Sequence, residues 1–266
     1  MNSFYDIDFA QLYKQHLIAC RYHDVTAEKW DKKAVKFAET FVEKENSYTR
    51  QFLDKMKIET TDSVLDIGSG PGTLAIPLAR LCKQVYALDF SEGMLQLLVR
   101  YQQQLGLPNI IPIHKSWNDP WDDVPQADIV IASRSTLVAD LDEMIDKLSA
   151  KAKKRVYLTA ITQPHFLDSG IFDAIEREAL GFPTYIYLLN RLYQRGIQAE
   201  LTFLQGETGG FQGETYQDLQ NAVEFSLGAL TELERQKLQA FYQQKQQSQQ
   251  KISHGQARWA FISWQV

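Results

Sequence analysis

Three short runs, VLDI at 64–67, VYAL at 85–88 and IVIA at 129–132, are almost wholly apolar, and helical stretches separate them. A strand that is apolar on both sides must be covered on both sides, which is the situation of a parallel sheet between two helical layers. Read this way, strands are expected at 62–67, 84–88, 110–114, 128–132 and 155–161, with helices at 74–81, 92–105 and 137–150 between them. Gly106 and Pro108 stop the second of those helices.

The flanks are more helical. Before the first strand, Phe9, Leu12, Tyr13 and Leu17 recur at helical spacing, and Trp30, Ala34, Phe37, Ala38, Phe41 and Val42 share one face of a further helix. After the fifth strand, helices are expected over 171–180 and 184–195, and strands over 198–204 and 257–264. Thr231-Glu232-Leu233-Glu234 reads as a capping box opening the last helix. The glutamine-rich stretch 236–250 keeps Leu238, Ala240, Phe241 and Tyr242 and reads as an exposed helix end. QGET occurs at 205–208 and at 212–215, too short and too few for a repeat architecture. The organisation is a helical cap over 1–58 and an α/β domain over 59–266, with insertions at 163–183 and 206–255.

Composition removes several classes of function. Of 266 residues, 44% are hydrophobic and 12% aromatic, enough for a full core, and the net charge of −5 argues against non-specific nucleic-acid binding. Two cysteines, Cys20 and Cys82, make no disulfide scaffold, and a reduced cytoplasm is the simplest setting. The first residues lack a basic segment followed by an apolar one, and no apolar run approaches the roughly 20 residues of a membrane helix. CxxC, HExxH and GxxxxGK[ST] are missing, so neither a common metal site nor a phosphate loop is expected.

The chemistry concentrates in Val64-Leu65-Asp66-Ile67-Gly68-Ser69-Gly70-Pro71-Gly72. A glycine turn between strand and helix lets the backbone approach a ligand closely and points helix amides at it. The spacing is GxGxG rather than the GxGxxG of dinucleotide sites, and Asp66 stands at its entrance. An acid there suits a ligand with a positive group better than a diphosphate. Asp89 ends the second strand, 23 residues after Asp66, where a carboxylate can accept from both hydroxyls of a ribose. Phe90 and Met94 could wall an adenine, and Trp117, after the third strand, could pack on it, although Trp117 also suits plain core packing.

DIGSGPG, then LDFSEGML, then DIVIAS, in that order on those elements, resembles the class I S-adenosylmethionine-dependent methyltransferases, with the small-molecule enzymes of ubiquinone and menaquinone biosynthesis as the nearest subgroup. The match covers about 60–162 and, more weakly, Trp30-Asp31-Lys32-Lys33-Ala34. The resemblance implies a Rossmann-like, mostly parallel seven-stranded sheet of order 3-2-1-4-5-7-6. It also implies S-adenosylmethionine as cofactor and S-adenosylhomocysteine as product. Gly68, Ser69, Gly70 and Gly72 would hold the methionine part, with Asp66 near its amino group. Asp89 would hold the ribose, and Met94 with Trp117 would enclose adenine.

Methyl transfer from a sulfonium is an in-line displacement that needs chiefly a well-placed nucleophile. A general base is required only if the nucleophile arrives protonated, so no catalytic residue is assigned. The fourth strand ends Ile131-Ala132-Ser133-Arg134-Ser135, without an Asn/Asp-Pro-Pro-aromatic motif and without a Pro-Cys pair. Ser133 is expected at the cofactor, and Arg134 either binds an acidic substrate group or is satisfied by a nearby acid. His165 is a candidate base and His114 a structural strand residue. The 4–57 helices and the segment 163–195, with Phe166, Phe172, Phe182, Tyr185, Tyr187 and Tyr193, are expected to roof an apolar pocket for a small organic substrate.

Three rivals stand beside a small-molecule methyltransferase. A protein or RNA methyltransferase would use the basic run Lys147, Lys151, Lys153, Lys154 and Arg155, which otherwise reads as a solvated helix end. The other two are a nicotinamide oxidoreductase and a non-catalytic S-adenosylmethionine-binding module. The 206–255 insertion is a candidate dimerisation element.

Overall fold

A computed structural model of the chain describes residues 3–20, 26–40, 47–177, 180–205, 215–252 and 258–266. The strands are β1 (Ser63–Ile67), β2 (Gln84–Asp89), β3 (Ile110–His114), β4 (Ala127–Ala132), β5 (Ala152–Ile161), β6 (Glu200–Gln205) and β7 (Arg258–Gln265). They form one seven-stranded sheet of order 3-2-1-4-5-7-6. β3, β2, β1, β4 and β5 are parallel; β7 runs against β5 and β6.

The apolar runs are buried on both faces, as their composition requires. On one face Leu65, Ile67, Val130, Ala132, Val156 and Leu158 pack against α6 (Leu141–Lys151), α8 (Tyr185–Gln194) and α1 (Phe9–Ala19). On the other, Val64, Val85, Ala87, Ile129, Ile131 and Tyr157 meet α3 (Ser47–Asp54), α4 (Ala75–Ala79) and α5 (Glu92–Gln104). Ala34 of α2 (Ala27–Thr40) joins this second layer, and Trp30 packs against it as core. Of the expected face of that helix, the side chains of Phe37, Ala38, Phe41 and Val42 lie outside the described residues, as do His23, His254 and most of the two QGET segments.

A third apolar cluster belongs to neither layer. Ile171 and Ile175 of α7 (Ser169–Ile175), Leu219 and Val223 of α9 (Tyr216–Leu227), and Leu238 and Phe241 of α10 (Glu232–Gln247) form it. Arg177 clamps it, donating from Nε and Nη2 to the two carboxylate oxygens of Glu234 at 2.6 and 2.7 Å and from Nη1 to the Leu227 carbonyl. These helices enter the chain after β5 and between β6 and β7. The strand directions put all those connections at the sheet edge where β1, β2 and β4 also end. The Thr231 capping box is present.

Several boundaries differ from expectation. The helix expected over 137–150 begins at Leu141, because the Asp140 side chain accepts from the amides of Asp142 and Glu143 and so caps it. α7 stops at Ile175 rather than running to 180, with Glu176 in the left-handed region at φ 53°. β5 begins at Ala152, three residues early, and this changes the basic run. Lys154 and Arg155 are strand residues, not a solvated helix end: Lys154 pairs with Asp62, and Arg155 is buried and pairs with Glu200 at 3.2 Å. Lys151 donates to the Val124 carbonyl, and Lys147 bonds the carbonyls of Trp117 and Asp119.

Candidate functional site

The site is assembled where β1 and β2 end. The amides of Gly68 and Ser69 both donate to the Leu88 carbonyl, at 2.8 and 3.0 Å, and the Gly70 amide donates to Asp89 Oδ2 at 2.7 Å. These three loop amides therefore pin the loop to β2 rather than facing a ligand. What the loop offers is close approach. Gly70 sits at φ +55° with nothing within 4 Å of where a Cβ would be, so only backbone separates the loop from the space above it.

Asp66 lies at the centre of this arrangement, 2% exposed. Burial, then the neighbouring charge of Asp89, pushes its carboxyl up to about 8, against partial relief from the Ala75 amide at the start of α4. Its Oδ2 has no hydrogen-bond partner, nor has the buried hydroxyl of Ser69. A buried acid left in this state costs stability unless something completes it. Asp89, 5% exposed, is likewise raised by burial, and its Oδ1 accepts from the Ser91 amide at 2.9 Å. The amides of Gly70 and Ser91, joined by that of Phe90, leave about one of a carboxylate's roughly four acceptor positions open to a hydroxyl.

The predicted adenine residues are distributed unevenly. Phe90 is half-buried, and its carbonyl lies 3.1 Å from His114 Nε2. Met94 is 2% exposed and packs within the α5 core layer. Trp117 is half-buried and stacks on Trp121 at 5.2 Å, while its Nε1 donates to the Ser135 carbonyl at 2.9 Å. It thus ties the loop after β3 to the turn after β4.

Two contacts had no local sequence signal. Asp31 of α2 accepts from the Ser91 hydroxyl at 2.6 Å and from the Gly93 amide at 3.0 Å, latching the N-terminal helices onto the start of α5. Asp31→Ala is expected to lower stability by about 1 kcal/mol, as loss of a helix-capping acceptor does. A scanning calorimeter should record this as a Tm fall of about 2–4 °C. Tyr48 of α3 is buried, and its hydroxyl bridges Ser133 Oγ at 2.7 Å and Thr159 Oγ1 at 2.9 Å. Burial raises its phenol pKa, and the Arg134 charge opposes that rise.

The turn after β4 is tightly specified. Ser135 Oγ donates to the Ile67 carbonyl, Thr136 Oγ1 to the Thr159 carbonyl, and the Arg134 amide to Thr159 Oγ1. Arg134 itself sits at φ 57°, a left-handed conformation that costs a non-glycine residue about 1 kcal/mol or more. Beside this turn opens a small cleft lined mostly by apolar groups, including Tyr13, Phe166, Tyr185 and Trp259. His165 is not among the lining residues. It packs on the Phe172 ring at 4.3 Å, and burial lowers its pKa. Nor does every aromatic of 163–195 face the cleft: Tyr193 is exposed and meets Phe4 and Tyr5. His16, which carried no expectation, lies 2.9 Å from the Tyr187 hydroxyl and 2.7 Å from the Gly181 carbonyl, tethering α1 to α8.

Residues 64–156 match the family model of a methyltransferase domain. The chain is 61% identical over 262 residues to an uncharacterized protein of Haemophilus influenzae, covering 98% of each. Among solved structures it is similar to coclaurine N-methyltransferase bound to N-methylheliamine and S-adenosylhomocysteine (TM-score 0.54, 14% identity, 98% of this chain and 95% of that one). It is also similar to a phosphoethanolamine N-methyltransferase of Haemonchus contortus in complex with S-adenosyl-L-methionine (TM-score 0.55, 16% identity, 97% of this chain and 60% of that one). At those identities the structural likeness is one of fold.

Proposed function

Because this chain belongs to the class I S-adenosylmethionine-dependent methyltransferases, we propose that it methylates a small organic molecule held in the cleft beside the 133–136 turn. When bound, the cofactor supplies a methyl on a sulfonium, whose carbon–sulfur bond breaks as the bond to the acceptor forms. The observation that carries the reading is the buried carboxyl of Asp66, with its partnerless Oδ2, at the mouth of the glycine loop. A ligand bearing a positive group supplies the missing partner, and Asp89 has about one acceptor position left for a ribose hydroxyl. Ser69 would offer its hydroxyl, and Gly68, Gly70 and Gly72 would shape the loop around the methionine part. Phe90 and Trp117 would flank the adenine, with Met94 backing them from the core. Ser133, held by Tyr48, would border the methyl group.

A small acceptor is favoured over a macromolecule by the concave cleft, whose mostly apolar and aromatic lining suits one. The cations that a nucleic acid would use are largely committed to partners within the protein. The two N-methyltransferases of similar fold have small molecules in their names, which agrees with this reading. No described helix is long and apolar enough to cross a membrane.

Calorimetric titration tests the proposal. S-adenosylmethionine and S-adenosylhomocysteine are expected to bind with micromolar Kd and NAD not to bind, and Asp89→Ala should weaken both sulfur nucleosides at least about 100-fold. The pH profile is more specific. Below its raised pKa of about 8, Asp66 holds a proton that a cationic ligand must displace. Affinity should therefore rise with pH, by up to about tenfold per unit between about 5.5 and 7.5, with close to one proton released per cofactor bound. Titrations in buffers of different ionisation enthalpy count that proton. A flat profile, or preference for NAD, overturns the reading.

A further inference from the structure

We infer that the acceptor substrate carries an anionic group, a carboxylate or phosphate on an apolar body, and that Arg134 reads it. The inference rests on the proposed methyl-transfer site and names the class of molecule that enters it. The sequence left two roles open for Arg134, a substrate contact or an internal ion pair, and the structure distinguishes them. Among the described residues no carboxylate pairs with its guanidinium, whose one specific contact is the Tyr48 ring at 4.5 Å from the ring centroid. A ring face orients a guanidinium without using its N–H donors, so the fork remains available for a bidentate acceptor.

The surroundings of Arg134 add a second, independent argument. It is the one charged residue among the described residues that line the cleft. The other polar groups there include the Tyr13 hydroxyl, committed to the Val138 carbonyl, and the Thr136 hydroxyl, committed to the Thr159 carbonyl. In a chain of net charge −5, a cation facing an otherwise aromatic and aliphatic cleft selects the sign of what enters. The backbone agrees. Arg134 adopts φ 57°, held there by its amide bond to Thr159 Oγ1, where a glycine would sit without strain. Its chain neighbours face the other half of the site: Ser133 bonds Tyr48, and Ser135 reaches the carbonyl of Ile67 just before the glycine loop. An anion on Arg134 is thereby anchored next to the proposed methyl donor, with the apolar part of the molecule against Phe166, Tyr185 and Trp259.

The test compares matched probes. Protein saturated with S-adenosylhomocysteine is titrated with 3-phenylpropanoate, phenyl phosphate and the neutral 3-phenylpropanamide. At least one anion should bind 10-fold or more tightly than the amide, and whichever binds best tells carboxylate from phosphate. Arg134→Met should abolish that discrimination, and Arg134→Lys should keep part of it as a point charge without the fork. Arg134→Gly, suited to the left-handed backbone, is the second variant should Met disturb folding. Equal binding of acids and amide, no binding of either acid, or discrimination that survives in both neutral variants overturns the inference. Failure of the wild-type protein to bind S-adenosylhomocysteine at the outset would instead defeat the methyl-transfer reading, so the two failures are told apart.

Discussion

Asp66→Asn is expected to make the cofactor-free protein more stable and to abolish binding of S-adenosylmethionine. The sign follows from the raised pKa. In the folded protein the Asp66 carboxyl is pushed from 3.8 to about 8, so between those values the native state holds a proton that the unfolded chain has released. A group of this kind contributes its full stability below the unfolded pKa and loses it as pH rises toward the folded one, by about 1.4 kcal/mol per unit. By pH 7.5 the wild-type protein carries most of that penalty. Asparagine keeps the size and carries no charge in either state, so it escapes the penalty, though its amide is still buried. A net gain of about 2 kcal/mol at pH 7.5, or about 4–8 °C in Tm, is a conservative figure. The gap between variant and wild type should shrink steadily toward pH 5. A variant destabilised equally at every pH would falsify the assignment. Cofactor affinity should fall at least about 100-fold, since the group that completes a positive ligand has been neutralised. A protein that grows more stable as it loses its ligand is the pattern of a binding site held under strain.

How much of this was legible beforehand differs between the sheet and its surroundings. Apolar runs such as VYAL, followed by an acid, and VLDI, followed by a glycine, mark buried parallel strands because few other structures bury both sides of so short a segment. The glycine spacing and Asp89 marked the edge of the sheet where β1 and β2 end as the candidate site, and the strand order came from the resemblance they carried. The start of α6 was missed because hydrophobic periodicity extends through Leu137 while the capping acid, Asp140, lies three residues on. The left-handed backbone of Arg134 had no sequence signal, because arginine is not a residue that marks such a position. Tyr48 with Thr159, Asp31 with Ser91 and Arg177 with Glu234 were out of reach for another reason. Periodicity tells which face of a helix is apolar and says nothing about which distant side chain meets it. The two insertions likewise read as separate excursions, and only their shared cluster of Ile171, Leu219 and Leu238 shows that they fold against each other.

Gly68→Ala should be strongly destabilising, and the reason can be separated into two parts. Gly68 has φ +71°, where an alanine costs about 1 kcal/mol from backbone alone. Its added Cβ would also lie 2.4 Å from Ser135 Cβ and 2.8 Å from Ser135 Oγ. Ser135 has little freedom to retreat: its hydroxyl donates to the Ile67 carbonyl at 2.7 Å, and its own carbonyl accepts from Trp117 Nε1 at 2.9 Å. The collision therefore displaces the 133–136 turn or the glycine loop, and overpacking of that kind adds about 2 kcal/mol or more. A total loss of about 3 kcal/mol corresponds to a Tm lower by about 6–12 °C. Cofactor binding should disappear with it, because loop and turn are both walls of the proposed site. Ser135→Gly separates the contributions. It removes the colliding atoms, so the double variant should be more stable than Gly68→Ala alone, even though the bond to Ile67 is lost with the serine. Each single change costs stability while the pair costs less than their sum, a coupling of about 1 kcal/mol or more that a double-mutant cycle measures. Full recovery is not expected, since the left-handed backbone at position 68 still holds an alanine. A double variant no more stable than Gly68→Ala would show that backbone strain alone accounts for the loss.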